Sequence, residues 1–431
     1  MNQSESEKLP LSRRRFLASG FLAAVTAGLS ARGADTNQPA AIAAEPVAKN
    51  GVEPFYGVHQ GGILTPIQRH TYFAAFDLVA TDRKDVIDLL QAWTDASARL
   101  TRGQTAAPLG TDLSLPAGDS GDALGLPPSR LTITFGFGAG VFTKDGQDRY
   151  GLAARRPAAL VDLPKFPGDQ LLESRTGGDL SVQACADDPQ VAFHAIRQLA
   201  RLAYDVAQLR WVQTGFNASF NATDTPRNLM GFKDGTNNPS VNDSALMNKF
   251  IWVGDEGPDW MRGGSYSVVR RIRIALEHWD RMNVAFQEQT VGRHKDSGAP
   301  LGGTNEFDQA DYDATDKDGN SVIPENSHIR LSAAENHDGA QILRRPFSYN
   351  DGANVTAERW PPWRQEMEFD AGLFFLCYQR DPRTGFIKFF EKMAKFDLMN
   401  QFVTHTGGGL FACPGGVTEG GYIGQRLFAQ S

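Results

Sequence analysis

Thr71-Tyr-Phe-Ala-Ala-Phe-Asp-Leu-Val-Ala80 is apolar and rich in β-formers, and reads as a strand. Working outward from it, Lys84 to Leu100 places Val86, Leu89, Leu90 and Trp93 on one helical face. The stretch 103–130 is rich in Gly, Pro and Asp and reads as a long loop. Leu131-Thr-Ile-Thr-Phe-Gly-Phe137 alternates as a second strand, and Asp179-Leu-Ser-Val-Gln-Ala184 is a third. Asp188 to Leu202 is an amphipathic helix carried by Val191, Ala195, Ile196, Leu199 and Leu202, and Leu209 to Phe216 closes the unit as a strand. Strand, helix, strand, strand, helix, strand is the order of a ferredoxin-like unit, an antiparallel sheet covered on one face by helices.

The second half shows a similar order. Gly264 to Ile274 reads as a strand, His278 to Thr290 as a helix, Glu368 to Tyr378 as containing a strand and Gly385 to Asp397 as a helix. No residue-level repeat accompanies this order, so duplication is inferred from the elements alone. The expected fold class is α+β, two ferredoxin-like units with antiparallel sheets and flanking helices. The expected division is 53–220 for the N-terminal unit and 221–431 for the C-terminal one. The intervening loop 291–341 is long and polar, as functional loops often are.

Residues 1–43 read as a segment outside the fold. Ser12-Arg13-Arg14-Arg15-Phe16-Leu17 has the wording of a twin-arginine signal, and an apolar run follows from Phe16 to Leu29. The run is shorter than the roughly 20 residues of a membrane helix and suits a signal core. Ala41-Ile42-Ala43 offers small residues for cleavage, with Ala34 as an alternative. The expectation is a periplasmic or secreted protein with no membrane span in its mature form. Twin-arginine export carries folded proteins, which raises the expectation of a cofactor loaded before export.

The chain has 43 basic and 50 acidic residues and a formal charge of −7. Residues 1–43 hold five of the basic and three of the acidic residues, so the remainder is more acidic still. Such a surface offers no electrostatic footprint for nucleic acid. Cys185, Cys377 and Cys413 form no CxxC or CxxCH pattern. That excludes a zinc ribbon, a thioredoxin site and covalent c-type haem attachment, and the apolar surroundings favour buried free thiols.

The chemistry concentrates further along. Gly231-Phe-Lys-Asp234-Gly235 continues into Thr236-Asn237-Asn238-Pro239. His328 lies in Asn326-Ser-His-Ile-Arg330, and Arg344 in Gln341-Ile-Leu-Arg-Arg345. Splitting a peroxide on a haem iron needs a base for the proton, a fixed positive charge for the breaking O–O bond, and an axial ligand. A carboxylate, a guanidinium and an imidazole supply these. Read singly, Asp234 is a turn residue, Arg344 one of a surface pair with Arg345 as its rival, and His194, His278 and His405 are packing or hydrogen-bonding groups.

Together these residues resemble the dye-decolourising peroxidase family, with closest likeness to its secreted deferrochelatase/peroxidase branch. Similar wording occurs at Pro54–Gln60, Val291–Leu301, Gly372–Pro382 and Thr404–Pro414, so the likeness spans about 53–431. The resemblance implies non-covalent haem b in a pocket mainly of the C-terminal unit. It implies His328 as axial ligand, Asp234 and Arg344 as distal catalytic groups, and Asn238 as a distal asparagine. Arg293 and His294 are candidates for the haem edge. A carboxylate should orient the axial histidine. The aligned position holds Gln401, with Asp397 and Asp381 as alternatives. The implied partners are hydrogen peroxide and a bulky organic electron donor such as a dye, with iron-uptake proteins and a homodimer also open. The alternatives are a deferrochelatase that frees iron from haem, and a non-enzymatic periplasmic haem carrier.

Overall fold

The computed structural model describes residues 51–218, 225–357 and 365–429. The twin-arginine stretch and the cleavage site therefore lie outside the described residues.

In the first half, β1 (His70–Leu78) leads into α1 (Arg83–Leu100), and β2 (Thr132–Phe137) and β3 (Leu180–Ala186) follow across a long loop. Then come α2 (Pro189–Leu202) and β4 (Ala207–Phe216). Local chemistry sets the helix starts. The Asp82 carboxylate accepts from Lys84 N at 2.8 Å, and Asp188 accepts from Gln190 N at 2.8 Å with Pro189 in the first turn. The apolar faces of α1 and α2 bury Trp93, whose ring lies 5.4 Å from Phe76 and 5.7 Å from Phe135. Its indole N–H donates to Leu199 O at 2.8 Å, so this large side chain is buried with its polar atom satisfied.

The second half holds α3 (Ser244–Phe250), β5 (Ser265–Ile274), α4 (Leu276–Trp279), α5 (Val284–Val291) and α6 (His328–Leu331). It continues with β6 (Leu343–Arg344), β7 (Phe347–Ala357), β8 (Gln365–Gln379), α7 (Phe386–Phe396), β9 (Val403–Cys413) and α8 (Gln425–Phe428). The strands of the first half lie in the order β4-β1-β3-β2, and those of the second in the order β9-β5-β8-β7. Both orders are fourth, first, third, second along the chain, so the duplication inferred from element order is present in the sheet itself. All pairings are antiparallel. Phe137 bridges Ala412 and Phe216 bridges Ser348, joining the two sheets at both edges into one closed surface. Closure leaves few unpaired strand edges.

Two sequence expectations are corrected. The helix expected over His278–Thr290 is two short helices. Asn283 restarts the chain by accepting from Phe286 N at 2.9 Å, as a strong N-cap does. Strands β7 and β9 were absent from the expected order. β9 contains Gly407-Gly-Gly409, whose low strand propensity hides it, yet a Cβ at Gly407 would sit 2.4 Å from Arg175 O. The glycine run lets the backbones of the two halves meet there. The three cysteines are buried free thiols, as expected.

Candidate active site

A cavity of about 640 Å³ lies in the second half, and all the residues that line it fall between Asn228 and His405. One wall is the sheet face of β5, β8 and β9, through Ile272, Ile274, Leu373, Phe375 and Val403. Another is α7, which presents Phe386, Phe389, Phe390 and Met393. The spacing i, i+3, i+4, i+7 puts these four side chains on one stripe of the helix.

His328 opens α6. This one-turn helix is anchored by Leu398 N donating to Asn326 O at 3.1 Å, which ties the histidine turn to the segment after α7. Asp397 ends α7 and caps the short 3-10 turn Leu398–Gln401, accepting from Met399 N at 2.9 Å through Oδ1. Its Oδ2 lies 2.7 Å from His328 Nδ1. The carboxylate can only accept, so Nδ1 carries a proton, and in the neutral ring this leaves the lone pair on Nε2. The histidine side chain is 33% exposed, and that exposure is toward the cavity it lines. Burial alone would lower its pKa, but the charge and hydrogen bond of Asp397 outweigh burial and the net shift is upward.

The orienting carboxylate is therefore Asp397, four residues before the aligned Gln401. Gln401 is exposed at the end of the turn, and Asp381 is paired with Arg383 at 2.6 Å.

Asp234 sits in a turn whose flanking glycines have φ of +86° at Gly231 and +131° at Gly235, backbone that a side chain would strain. Its Oδ1 accepts from Arg344 Nη1 at 2.7 Å. Its other oxygen has no partner among the described residues. Both side chains line the cavity. Arg344 is in β6, paired with Cys377 of β8. Asn238 clamps the Arg344 backbone at both ends: its Nδ2 donates to Arg344 O at 2.8 Å and its Oδ1 accepts from Arg344 N at 3.1 Å. The asparagine thus positions Arg344, and it lines the cavity with one amide N–H and one oxygen lone pair still uncommitted. Arg345 points elsewhere, to Thr65 O and to Gln68 Oε1 at 2.8 Å.

Arg293 lines the cavity, held by Nη1 donating to Gly298 O at 2.7 Å and Glu306 O at 2.9 Å. Its Nη2 makes only a long contact to Asn237 at 3.5 Å. His294 is not on the cavity wall; its Nδ1 is 3.0 Å from Glu288 on α5. Sequence reading passed over Glu306. Its carboxylate pairs with Lys233 and accepts from Thr236 Oγ1 at 3.0 Å, so it latches both sides of the Asp234 turn. No motif marks it, because the partner lies some seventy residues away across an irregular loop.

The donor set fits a haem. The volume lies within the roughly 300–1,000 Å³ of cofactor sites, and the walls are largely apolar. Among the described residues no group of three His, Cys, Asp or Glu could hold a bare metal ion. An iron bound through His328 Nε2 would need to bring its other ligands with it, as a porphyrin does.

Comparisons with known proteins agree with this geometry. Residues 60–217 match the family model "Dyp-type peroxidase, N-terminal", and residues 225–418 match "Dyp-type peroxidase, C-terminal". The chain is 37% identical over 427 residues to a deferrochelatase of Escherichia coli (strain K12), covering 96% of each chain. Among solved structures it is similar to ferric DtpA from Streptomyces lividans, 42% identical, with a TM-score of 0.78 over 89% of this chain and 99% of that one. A DypB variant from Rhodococcus jostii RHA1 in complex with heme is 24% identical. It shares the fold, with a TM-score of 0.58 over 82% of this chain and 95% of that one. On family models that together cover most of its length, the chain belongs to the Dyp-type peroxidase family and is a haem-dependent peroxidase that holds its haem without a covalent bond.

Proposed function

We propose that this peroxidase reduces hydrogen peroxide with Asp234 and Arg344 as its catalytic groups and His328 as the residue that would hold the haem iron, oxidising bulky organic donors such as dyes. The observation that carries the reading is one cavity holding a histidine with Nε2 free and, on the same wall system, a carboxylate already paired with a guanidinium. The bound haem supplies the peroxide-binding metal and the electrons for O–O cleavage. Asp397 fixes the His328 ring and its tautomer and makes it a better donor ligand. The unpartnered Asp234 oxygen takes a proton from one peroxide oxygen and delivers it to the other, which leaves as water. Arg344 stays charged and stabilises the negative charge that develops on the separating oxygens. Asn238 keeps the guanidinium in place through the Arg344 backbone. Arg293 offers Nη2 to an acidic group at the haem edge.

The test is an absorption spectrum of the haem-loaded protein before and after one equivalent of hydrogen peroxide. A Soret band that changes within mixing supports the reading. An unresponsive band refutes peroxidase action, and no Soret band after loading refutes the haem site itself.

A second activity, release of iron from haem, is supported by the name of the curated relatives. It uses the same pocket and needs no peroxide. Free protoporphyrin after anaerobic incubation with haem would establish it. The haem-carrier reading does not account for the Asp234–Arg344 pair. We also infer export by the twin-arginine route to the periplasm or beyond, on the wording of Ser12–Leu17. Among the described residues no helix is long and apolar enough to cross a membrane. The division at about 220 into two ferredoxin-like halves is supported by the repeated strand order. Iron-uptake proteins and a second copy of the chain are the macromolecular partners this reading allows.

A further inference from the structure

His405 is a second histidine on the cavity wall, and it plays no part in the chemistry above. It lies in β9, opposite Ile272 of β5, and is 7% exposed. Its Nδ1 accepts from Arg270 Nε at 3.0 Å. A guanidinium can only donate, so Nδ1 carries no proton, the ring is neutral, and the proton is on Nε2. Burial and then the charge of Arg270 hold the pKa of His405 well below the usual imidazole range, which agrees with that tautomer. Arg270 is itself held rigidly. It is 1% exposed, ion-paired with the buried Asp169 of the first half, and flanked by the Phe166 and Phe390 rings at 5.6 Å and 5.5 Å. The backbone closes the same corner, with Gln170 N donating to His405 O at 3.0 Å.

The result is an oriented N–H donor in an otherwise apolar part of the wall. No described residue accepts from Nε2, and the atom is not sealed from the cavity. Filling the cavity with haem would remove water from this donor, and a buried donor needs an acceptor. The periphery of protoporphyrin is hydrocarbon except for its two propionates. We propose that His405 Nε2–H donates to a haem propionate carboxylate, with Arg270 and Asp169 as positioning residues. One consequence is that the first half of the chain, through Asp169, takes part in seating a cofactor whose cavity is lined entirely by the second.

The proposal rests on the haem assignment, and the experiment separates the two. Wild type and His405→Phe are each loaded with haem, or with etiohaemin, which carries ethyl groups in place of both propionates. Release to excess apomyoglobin is followed by the Soret band. The expected result is roughly tenfold faster haem release from the variant, with the two proteins releasing etiohaemin at equal rates. Equal release of haem by both proteins, or a tenfold gap that persists with etiohaemin, overturns the proposal while leaving the haem assignment intact. Failure of both proteins to develop a Soret band overturns both. A measurement on the wild type covers the case in which the variant does not fold. In protein loaded with diamagnetic gallium protoporphyrin, nitrogen-resolved NMR should show His405 with a slowly exchanging Nε2 proton. A proton on Nδ1, or rapid exchange with solvent, overturns it.

Discussion

At the scale of single residues, the site is a set of groups whose lone pairs and protons are already allocated. Asp397 uses one oxygen to cap a turn and the other to hold His328, so the fold and the proposed iron ligand share one side chain. Asp397→Ala should weaken haem binding about 10- to 100-fold, the usual effect of removing a partner of a metal-ligating histidine. Asp397→Asn keeps an acceptor for the histidine but removes the charge. It should retain haem while raising the iron's reduction potential, read by spectroelectrochemistry. Unchanged haem affinity in the alanine variant would show that Asp397 does not support the ligand. Asp234→Asn should lower peroxide turnover by about 10²- to 10⁴-fold, as loss of a positioned base does, with the resting Soret spectrum preserved. Stopped-flow mixing with peroxide distinguishes this from haem loss, and an unimpaired rate would remove Asp234 from the mechanism. The residue types and their order were legible in sequence because the chemistry needs them. The partner of His328 was legible only as one of three, Gln401 with Asp397 and Asp381 as alternatives, because spacing along the chain does not show that the turn at Leu398 brings Asp397 to the ring.

At the scale of elements, strongly periodic segments could be read and short or glycine-rich ones could not. α1 and α2 carry caps and continuous apolar faces, and they lie within a residue or two of expectation. β9 was missed because three consecutive glycines weaken its strand signal, although the close approach of Arg175 to Gly407 and of Val269 to Gly408 requires two of them. The loop 291–341 was expected to matter, but its mode of action is a contact between distant residues. Glu306 reaches back to Lys233 and Thr236 and holds the Asp234 turn. Burial pushes the Glu306 pKa up, but Lys233 and the hydroxyl donors outweigh burial and the net shift is downward. A carboxylate with a depressed folded-state pKa contributes stability that is complete above its unfolded value, about 4.3, and is lost as pH falls through the folded value. Between those limits the latch should weaken, and with it the placement of Asp234. Glu306→Gln should therefore flatten the acid limb of the stability profile, measured by thermal melts between pH 3 and 7. Parallel profiles for wild type and variant would show that the latch adds nothing to folding.

At the scale of the whole molecule, the two halves share one closed sheet, and a charge cluster around the buried Arg271 lies where they meet. Arg271 of β5, 4% exposed, donates to Gln213 of β4 at 2.8 Å, to Asp351 of β7 at 2.9 Å and to Asp370 of β8 at 2.7 Å, and its guanidinium stacks over the Tyr349 ring at 4.3 Å. One side chain therefore binds strands of both halves. Burying a charge in this way is not in itself a large gain, but removing one member leaves the others uncompensated. Arg271→Met should destabilise the fold by up to roughly 3 kcal/mol, because Asp370 would lose its cation and Asp351 would keep only the long contact to Arg175 at 3.5 Å. The sheet closes through both halves, so they should unfold in one transition that the variant moves without splitting. Urea unfolding followed by near-ultraviolet circular dichroism and by tryptophan fluorescence tests this, since the seven tryptophans are spread over both halves. Coincident curves with a lower midpoint in the variant are expected. Separate transitions for the two probes in wild type would mean that each half is stable alone, and that Arg271 joins two independent domains rather than completing one.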